Sequence, residues 1–200
     1  MEKRFVFWSP VDPCVESFLR NNDSLHAVSR SYPYVFACSN GIDGLVREKC
    51  GSHAVTINME NDMKRKGTAV FDLMKKMDFD ICVRVDADAI IFDLPRLLRM
   101  ASATGPRQFL GWEVKVGRVR GGCHAVGAEI VRNIAPLGEG PNFDAAMSKN
   151  TRAMGGEILH CKFFEMNYRY TGECPVWHPR KSAKASLFDE HIEMWRAAPQ

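Results

Sequence analysis

The sequence predicts an α/β protein: a mainly parallel central sheet flanked by helices, with a smaller antiparallel or irregular part in its second half. Three observations predict it. Short apolar runs alternate with helical patterns through the first hundred residues, the order of strand–helix–strand units. Residues 81–85 (ICVRV) form a mostly apolar run that suits a strand covered on both faces. The chain has 200 residues, 46% hydrophobic, 26% charged and 10% aromatic, which describes an ordinary globular chain and excludes disordered, collagen-like and coiled-coil classes.

Each element has its own justification. Residues 5–8 read as a short buried strand, closed by the turn formers Ser9 and Pro10. A helix is expected over 12–21, a second strand over 34–38 stopped by Ser39-Asn40-Gly41, and a third over 54–57. The clearest helix spans 63–77, where Met63, Val70, Phe71, Met74 and Met77 recur at helical spacing behind Asn61 or Asp62 as N-cap. Lys64, Arg65 and Lys66 crowd its first turn, where the helix dipole disfavours positive charge. They read either as a solvated face or as partners for an anion. Strands over 81–85 and 89–92, a helix over 94–100, and strands over 109–116 and 119–126 follow, the last interrupted at Gly121-Gly122. Helices are expected over 128–134, around 143–150 and over 157–166, and residues 168–177 read as extended.

Charge and cysteine content narrow the function. The net charge is +3, from 27 Lys and Arg against 24 Asp and Glu, far short of a dedicated nucleic-acid binder. Seven cysteines cannot all pair within the chain and none lie in a Cys-x-x-Cys spacing, so reduced, mostly buried thiols are expected. No apolar run approaches the ~20 residues of a membrane span, and the apolar stretch near the N-terminus is too short for a signal peptide. The expected location is therefore cytoplasmic.

The chemistry centres on Asp86-Ala87-Asp88, at the exit of the 81–85 strand. In strand-like geometry residues two apart point the same way, roughly 7 Å apart along the backbone. Two carboxylates held that close repel unless something positive sits beside them, and a hard divalent cation is the natural partner. Asp-x-Asp is common by chance, but the carboxyl end of a central strand is where α/β proteins bind ligands.

The stretch from Lys64 to Met100 (helix, Asp78-Phe79-Asp80, apolar strand, Asp-x-Asp, apolar strand, Leu-Pro helix) resembles the nucleotide-sugar-dependent glycosyltransferases of the GT-A fold. The resemblance implies one catalytic domain over 1–200, with a nucleotide-sugar half (1–100) and an acceptor half (101–200). It implies a UDP-sugar donor, Mn²⁺ or Mg²⁺, a glycan acceptor, no nucleic-acid partner, and Asp88 as direct metal ligand. Asp86 would touch ribose, donor sugar or metal through water. Trp8, Ser9 and Asp12 would lie near the nucleoside. Lys66 and Gly67 match the family's basic residue and glycine before Asp-x-Asp; their plain alternatives are a solvated lysine and a helix-interior glycine. Glu157 matches the late acid that serves as base in inverting members, although Ile158 stands where a second acid is usual; Glu113 and Asp144 are rivals, and a helix-start acid is the plain alternative. His178 matches the histidine that completes the metal shell, with His191 as runner-up; Arg180, Lys181 and Lys184 would then lie near the diphosphate. Gly121 and Gly122 would line the sugar, and Trp112 would stack under an acceptor ring.

Three rivals remain at this point. A haloacid-dehalogenase-type phosphatase also uses strand-Asp-x-Asp, but usually at the start of its domain. A nucleotidyltransferase should carry a Gly-rich loop after strand one, where this chain has Ser9-Pro10-Val11-Asp12-Pro13. A carbohydrate- or metal-binding module without catalysis is the third.

Overall fold

A computed structural model describes residues 2–39, 41–51, 54–115, 118–179 and 184–198. The chain opens with β1 (Phe5–Val11), a 3-10 turn (Pro13–Val15), α1 (Glu16–Asn21) and α2 (Asp23–Ser31). Next come β2 (Tyr34–Ser39), α3 (Asp43–Cys50), β3 (Val55–Met59) and α4 (Met63–Met74). β4 (Ile81–Val85), β5 (Ile90–Ile91), α5 (Leu94–Ala101), β6 (Gln108–Lys115) and β7 (Arg118–Gly127) follow. The last elements are α6 (Ala128–Asn133), α7 (Phe143–Ala153), β8 (Glu157–His160), β9 (Phe164–Glu165), β10 (Val176–Trp177) and α8 (Lys184–Ala197).

Seven strands make one sheet in the order β3-β2-β1-β4-β7-β6-β8. β7 alone runs against the rest, so the sheet is mainly parallel as the sequence predicts. β5, β10 and β9 form a small second sheet. The period of two divides β1 between the faces of the large sheet: Phe7 and Val11 join the core under α1, α2, α3 and α5, while Val6 and Trp8 join the core under α4, α6 and α7. Covering both faces explains the fully buried run of β4.

Several elements differ from the sequence reading. β1 does not stop at Ser9-Pro10 but runs to Val11, with Pro10 in register with Ala37. The Phe7 N–H donates to Pro33 on the β2 side, so Pro10's nitrogen faces the other way, beyond the last β4 pair at Trp8. Its missing N–H therefore costs no ladder bond. Residues 157–160 are a strand rather than the start of a helix; β8 pairs in parallel with β6, from Gln108 against Glu157 to Gly111 against His160. A short apolar run does not reveal its period, and strand pairing decided it. α2, α3 and α8 were not expected. α2 and α3 bury few apolar side chains, and α2 is capped by Asn22, whose side chain accepts from the Leu25 N–H.

Gly67 lies in the interior of α4, where α7 crosses it. A Cβ there would stand 2.1 Å from the Phe143 ring. Gly67→Ala is expected to lower stability by about 1–3 kcal/mol through overpacking, outweighing the ~1 kcal/mol that alanine gains in a helix. Thermal denaturation checks this, and a raised midpoint would contradict it.

Candidate functional site

The strand order places the site. From β1 the chain steps outward to β2 and β3, then returns to β4 on the other side of β1. The crevice between the carboxyl ends of β1 and β4 is thus the switch point where open α/β sheets bind ligands. A cavity of about 450 Å³ opens there, lined among others by Asp12, Arg84, Asp86, Ala87, Asp88, Arg120, Gly121, Asp144 and His178.

Asp86 and Asp88 sit in the turn that leaves β4. The Asp86 N–H donates to the Gly122 carbonyl at 2.8 Å, and the Ala89 N–H donates back to Asp86 at 2.9 Å. Asn22 holds the turn from behind: its buried amide donates to the carbonyls of Ala87 (3.1 Å) and Ala89 (2.7 Å), on either side of Asp88. The Asn22 amide oxygen accepts from the Ser24 hydroxyl at 2.6 Å, which fixes the amide's orientation.

His178 arrives from the small sheet. Trp177 is paired with Ile90 across the β10–β5 ladder, so the next residue is delivered beside Asp88. His178 Nε2 lies 3.2 Å from Asp88 Oδ1 and 3.7 Å from Asp86 Oδ2. One ligand atom from each of the three residues falls within 4.8 Å of the others. His178 Nδ1 faces the Pro179 carbonyl at 2.9 Å; a carbonyl only accepts, so Nδ1 carries a proton. The Nε2 aimed at two carboxylates must then hold either a second proton or a cation. Burial opposes that second proton, but hydrogen bonds to Asp86 and Asp88 outweigh burial and push His178 up to about 10. Two carboxylates with an imidazole oriented by a backbone carbonyl suit a divalent metal, which takes the place of this proton.

Arg84, two residues before Asp86, points the same way and is buried. Its guanidinium bonds Asp86 (Nε to Oδ1, 2.9 Å) and Asp144 on α7 (Nη1 to Oδ1, 2.9 Å), and lies over the rings of Trp8 and Phe143. Burial raises Asp86, but Arg84 and His178 overcome it and hold the group below its ordinary value. Asp144 is shifted the other way: burial pushes it up despite Arg84. Gly121 lies against Asp144, since a Cβ on Gly121 would stand 2.7 Å from Asp144 Oδ2.

The structure brings together Asp12, Asp86, Ala87, Asp88, Gly121, Asp144 and His178 of the residues singled out from the sequence. It places others elsewhere. Trp8 is fully buried beneath Arg84, and Ser9 is buried with its hydroxyl on the Val85 carbonyl and Tyr34, tying β1 to β4. Lys66 is buried; its ammonium contacts Asp12, Ser39 Oγ (2.9 Å) and the Val11 carbonyl (3.2 Å). Arg65 pairs with Glu60 and Glu139. Arg65 and Lys66 of the crowded first turn of α4 are thus matched by the chain's own acids. Gly67 serves helix packing, and Gly122 (φ +122°) passes close under Phe164. His191 is stacked on Trp177 and accepts from the Tyr170 N–H, away from the carboxylates. Trp112 is half-buried against Phe164. Arg180, Lys181 and the side chains of Glu113 and Lys184 lie outside the described residues.

Glu157 is the main departure. It opens β8 at the outer edge of the sheet, where it accepts from Gln108 Nε2 at 2.9 Å. β8 runs parallel to β6, so its first residue lies at the end of the sheet opposite the carboxyl ends that form the cavity. Of the acids weighed as base, Asp144 lies at the cavity, in the first turn of α7. The sequence reading named Asp144 as a rival base but missed Arg84 and Asn22. Arg84 was legible in principle as a charge inside an otherwise apolar strand.

No family model matches the sequence, and no curated protein matches it. Solved structures match the fold. A galactosyltransferase, LgtC, solved with donor and acceptor sugar analogues, is 14% identical, with 98% of each chain covered and a TM-score of 0.61. The glycosyltransferase GlyE of Streptococcus pneumoniae TIGR4 is 12% identical over 98% of this chain and 61% of its own, with a TM-score of 0.55. An inositol-1-phosphate CTP transferase from T. maritima is 7% identical, covering 100% of this chain and 99% of its own, with a TM-score of 0.57. Identities this low carry the fold alone. That fold is the GT-A-type, Rossmann-like α/β architecture that the sequence resemblance implied, shared by sugar transferases and nucleotidyltransferases.

Proposed function

We propose that the chain is a metal-dependent glycosyltransferase that moves a sugar from a nucleoside diphosphate sugar, a UDP-sugar, to a glycan hydroxyl with inversion. The observation that carries this reading is the trio Asp86, Asp88 and His178 at the switch point, with Nε2 turned toward both carboxylates. Asp88 and His178 would hold the ion most directly, because one Asp86 oxygen is taken by Arg84. An imidazole ligand favours Mn²⁺ over Mg²⁺. When bound, the divalent ion supplies Lewis-acid stabilisation of charge on the diphosphate oxygens.

The chain's own residues supply the rest. Asp12, held by Lys66 at the end of β1, closes the cavity at the nucleoside side. Arg84 neutralises Asp86 and keeps Asp144 in place. Asp144 takes the role of base that the resemblance suggested for Glu157. Its Oδ1 is engaged by Arg84, and its Oδ2 lies beside Gly121 in the cavity wall. The acceptor hydroxyl gives its proton to Asp144 as its oxygen bonds to the anomeric carbon. The bond to the diphosphate oxygen breaks on the opposite face, and its electron pair leaves with UDP.

UDP release from a panel of UDP-sugars, with Mn²⁺ or with EDTA, tests the reading. Mn²⁺-dependent UDP release is expected. Pyrophosphate release from nucleoside triphosphates would favour nucleotidyl transfer, against which stands the extended β1 with no Gly-rich loop after it. Phosphate release from phosphate esters would favour the phosphatase, although Asp-x-Asp here follows the fourth strand.

Asn22→Ala is expected to weaken Mn²⁺ binding about tenfold, the lower end of what a residue behind the ligands contributes. It should also cost about 1–3 kcal/mol of stability by orphaning two buried carbonyls. Mn²⁺ titration by electron paramagnetic resonance and thermal melts read the two effects separately; unchanged Mn²⁺ affinity would contradict the positioning role.

A further inference from the structure

Beside the metal trio, one wall of the cavity carries a cation that the transferase chemistry does not use. Arg120, on β7, is exposed and lines the cavity next to Gly121. The other charged groups that line it have charged partners: Asp12 has Lys66, Arg84 has Asp86 and Asp144, and Asp88 has His178. Among the described residues no carboxylate pairs with Arg120. Its guanidinium lies over the Trp112 ring, 5.2 Å from the centroid. The Lys162 ammonium lies over the same ring at 5.6 Å. Trp112 is half-buried and held by Phe164 in an edge contact, so it is a fixed platform. Two cations thus contact one ring, and of the two Lys162 pairs with Glu173 at 3.4 Å. Like charges gathered on one ring repel, and an anion bound to Arg120 relieves that repulsion. Trp112 thereby holds the Arg120 guanidinium at the cavity wall, where an anionic group on a sugar would meet it.

We propose that Arg120, Trp112 and Lys162 form an acceptor subsite for a sugar that carries an oxyanion, either the carboxylate of a uronic acid or a phosphate ester. This rests on the transferase reading above and adds the charge class of the acceptor. Arg120 presents two parallel N–H donors to such a group, a geometry lysine lacks. Arg120 lines the cavity together with Asp144, so an anion held by Arg120 would leave the reacting hydroxyl turned toward Asp144.

The test is an acceptor panel of three matched glycosides: neutral hexoside, hexuronide and hexoside 6-phosphate, each read by kcat/KM with one donor and Mn²⁺. The native chain is expected to prefer at least one anionic acceptor over the neutral one by about tenfold or more, the effect of one charge-assisted hydrogen bond. Which of the two is preferred identifies the oxyanion. Arg120→Gln should bring that ratio close to one, and Lys162→Gln should reduce it by a smaller factor. UDP affinity in Mn²⁺, measured by calorimetry, should move less than twofold in both variants. Equal use of all three acceptors by the native chain would overturn the proposal while leaving the transferase reading intact. A large loss of UDP affinity in Arg120→Gln would also overturn it, assigning Arg120 to the donor diphosphate. Failure of the native chain to bind UDP would overturn both.

Discussion

Asp88→Ala is expected to lower Mn²⁺-dependent transfer by about a thousandfold or more. The expected loss is electrostatic in origin. As the glycosidic bond breaks, negative charge gathers on the diphosphate, and a divalent ion on its oxygens contributes several kcal/mol to the transition state. Each ~1.4 kcal/mol is a factor of ten in rate, so losing about 4 kcal/mol gives the thousandfold loss. Asp88 would be the ligand least replaced by its neighbours. Its side chain is 5% exposed, and its Oδ1 faces His178 at 3.2 Å. Asp86 cannot substitute, because Arg84 already engages it at 2.7 Å. Asp88→Asn keeps the shape, so a similar loss there separates charge from packing. Circular dichroism and a thermal melt should show the fold retained in both variants. Transfer by Asp88→Ala within tenfold of the native rate would contradict the assignment.

Asp144→Asn is expected to lower kcat by 10²–10⁴-fold, the usual worth of a general base, while UDP affinity in Mn²⁺ changes only a few-fold. Arg84 would keep its bond to Asp86, so the site stays assembled. The upward shift of Asp144 by burial makes it a better proton acceptor than an exposed aspartate. Glu157→Gln is the matched control. Glu157 sits at the far edge and opposite end of the sheet, and its replacement should leave kcat within about twofold. The reverse pattern, a large loss at Glu157 and none at Asp144, would return the base to the residue that sequence resemblance favoured. Loss of UDP affinity in Asp144→Asn equal to its loss in kcat would make Asp144 a donor-site residue instead.

What the sequence made legible is local. The Asp-x-Asp turn is announced by the strand before it, and both carboxylates lie at the cavity. Asp62 was readable as a helix cap and does accept from the Lys64 and Arg65 N–H groups. The early alternation of strand and helix gives the parallel half of the sheet. Roles that depend on distant partners were not legible. Asn22 reaches the Asp-x-Asp turn across 65 and 67 residues of chain. Lys66 stands in a run of basic residues that reads as solvated or as waiting for an anion, yet its ammonium is buried on the chain's own Asp12. Gly67 reads either as a place for a ligand to approach or as a helix-interior glycine, and the ring of Phe143 takes the space a ligand would need. The choice between Glu157 and Asp144 turned on sheet register. Residues 157–160 pair with β6 at the outer edge, and that pairing carries Glu157 away from the cavity while α7 brings Asp144 to it.

Calorimetric titration of UDP in the presence of Mn²⁺, and again with EDTA, tests most directly whether Asp86, Asp88 and His178 gather a divalent ion on a nucleoside diphosphate. The account predicts at least tenfold tighter UDP binding with Mn²⁺, and loss of that gain in Asp88→Ala. Equal UDP affinity with and without the metal, or a metal effect that survives Asp88→Ala, would contradict it.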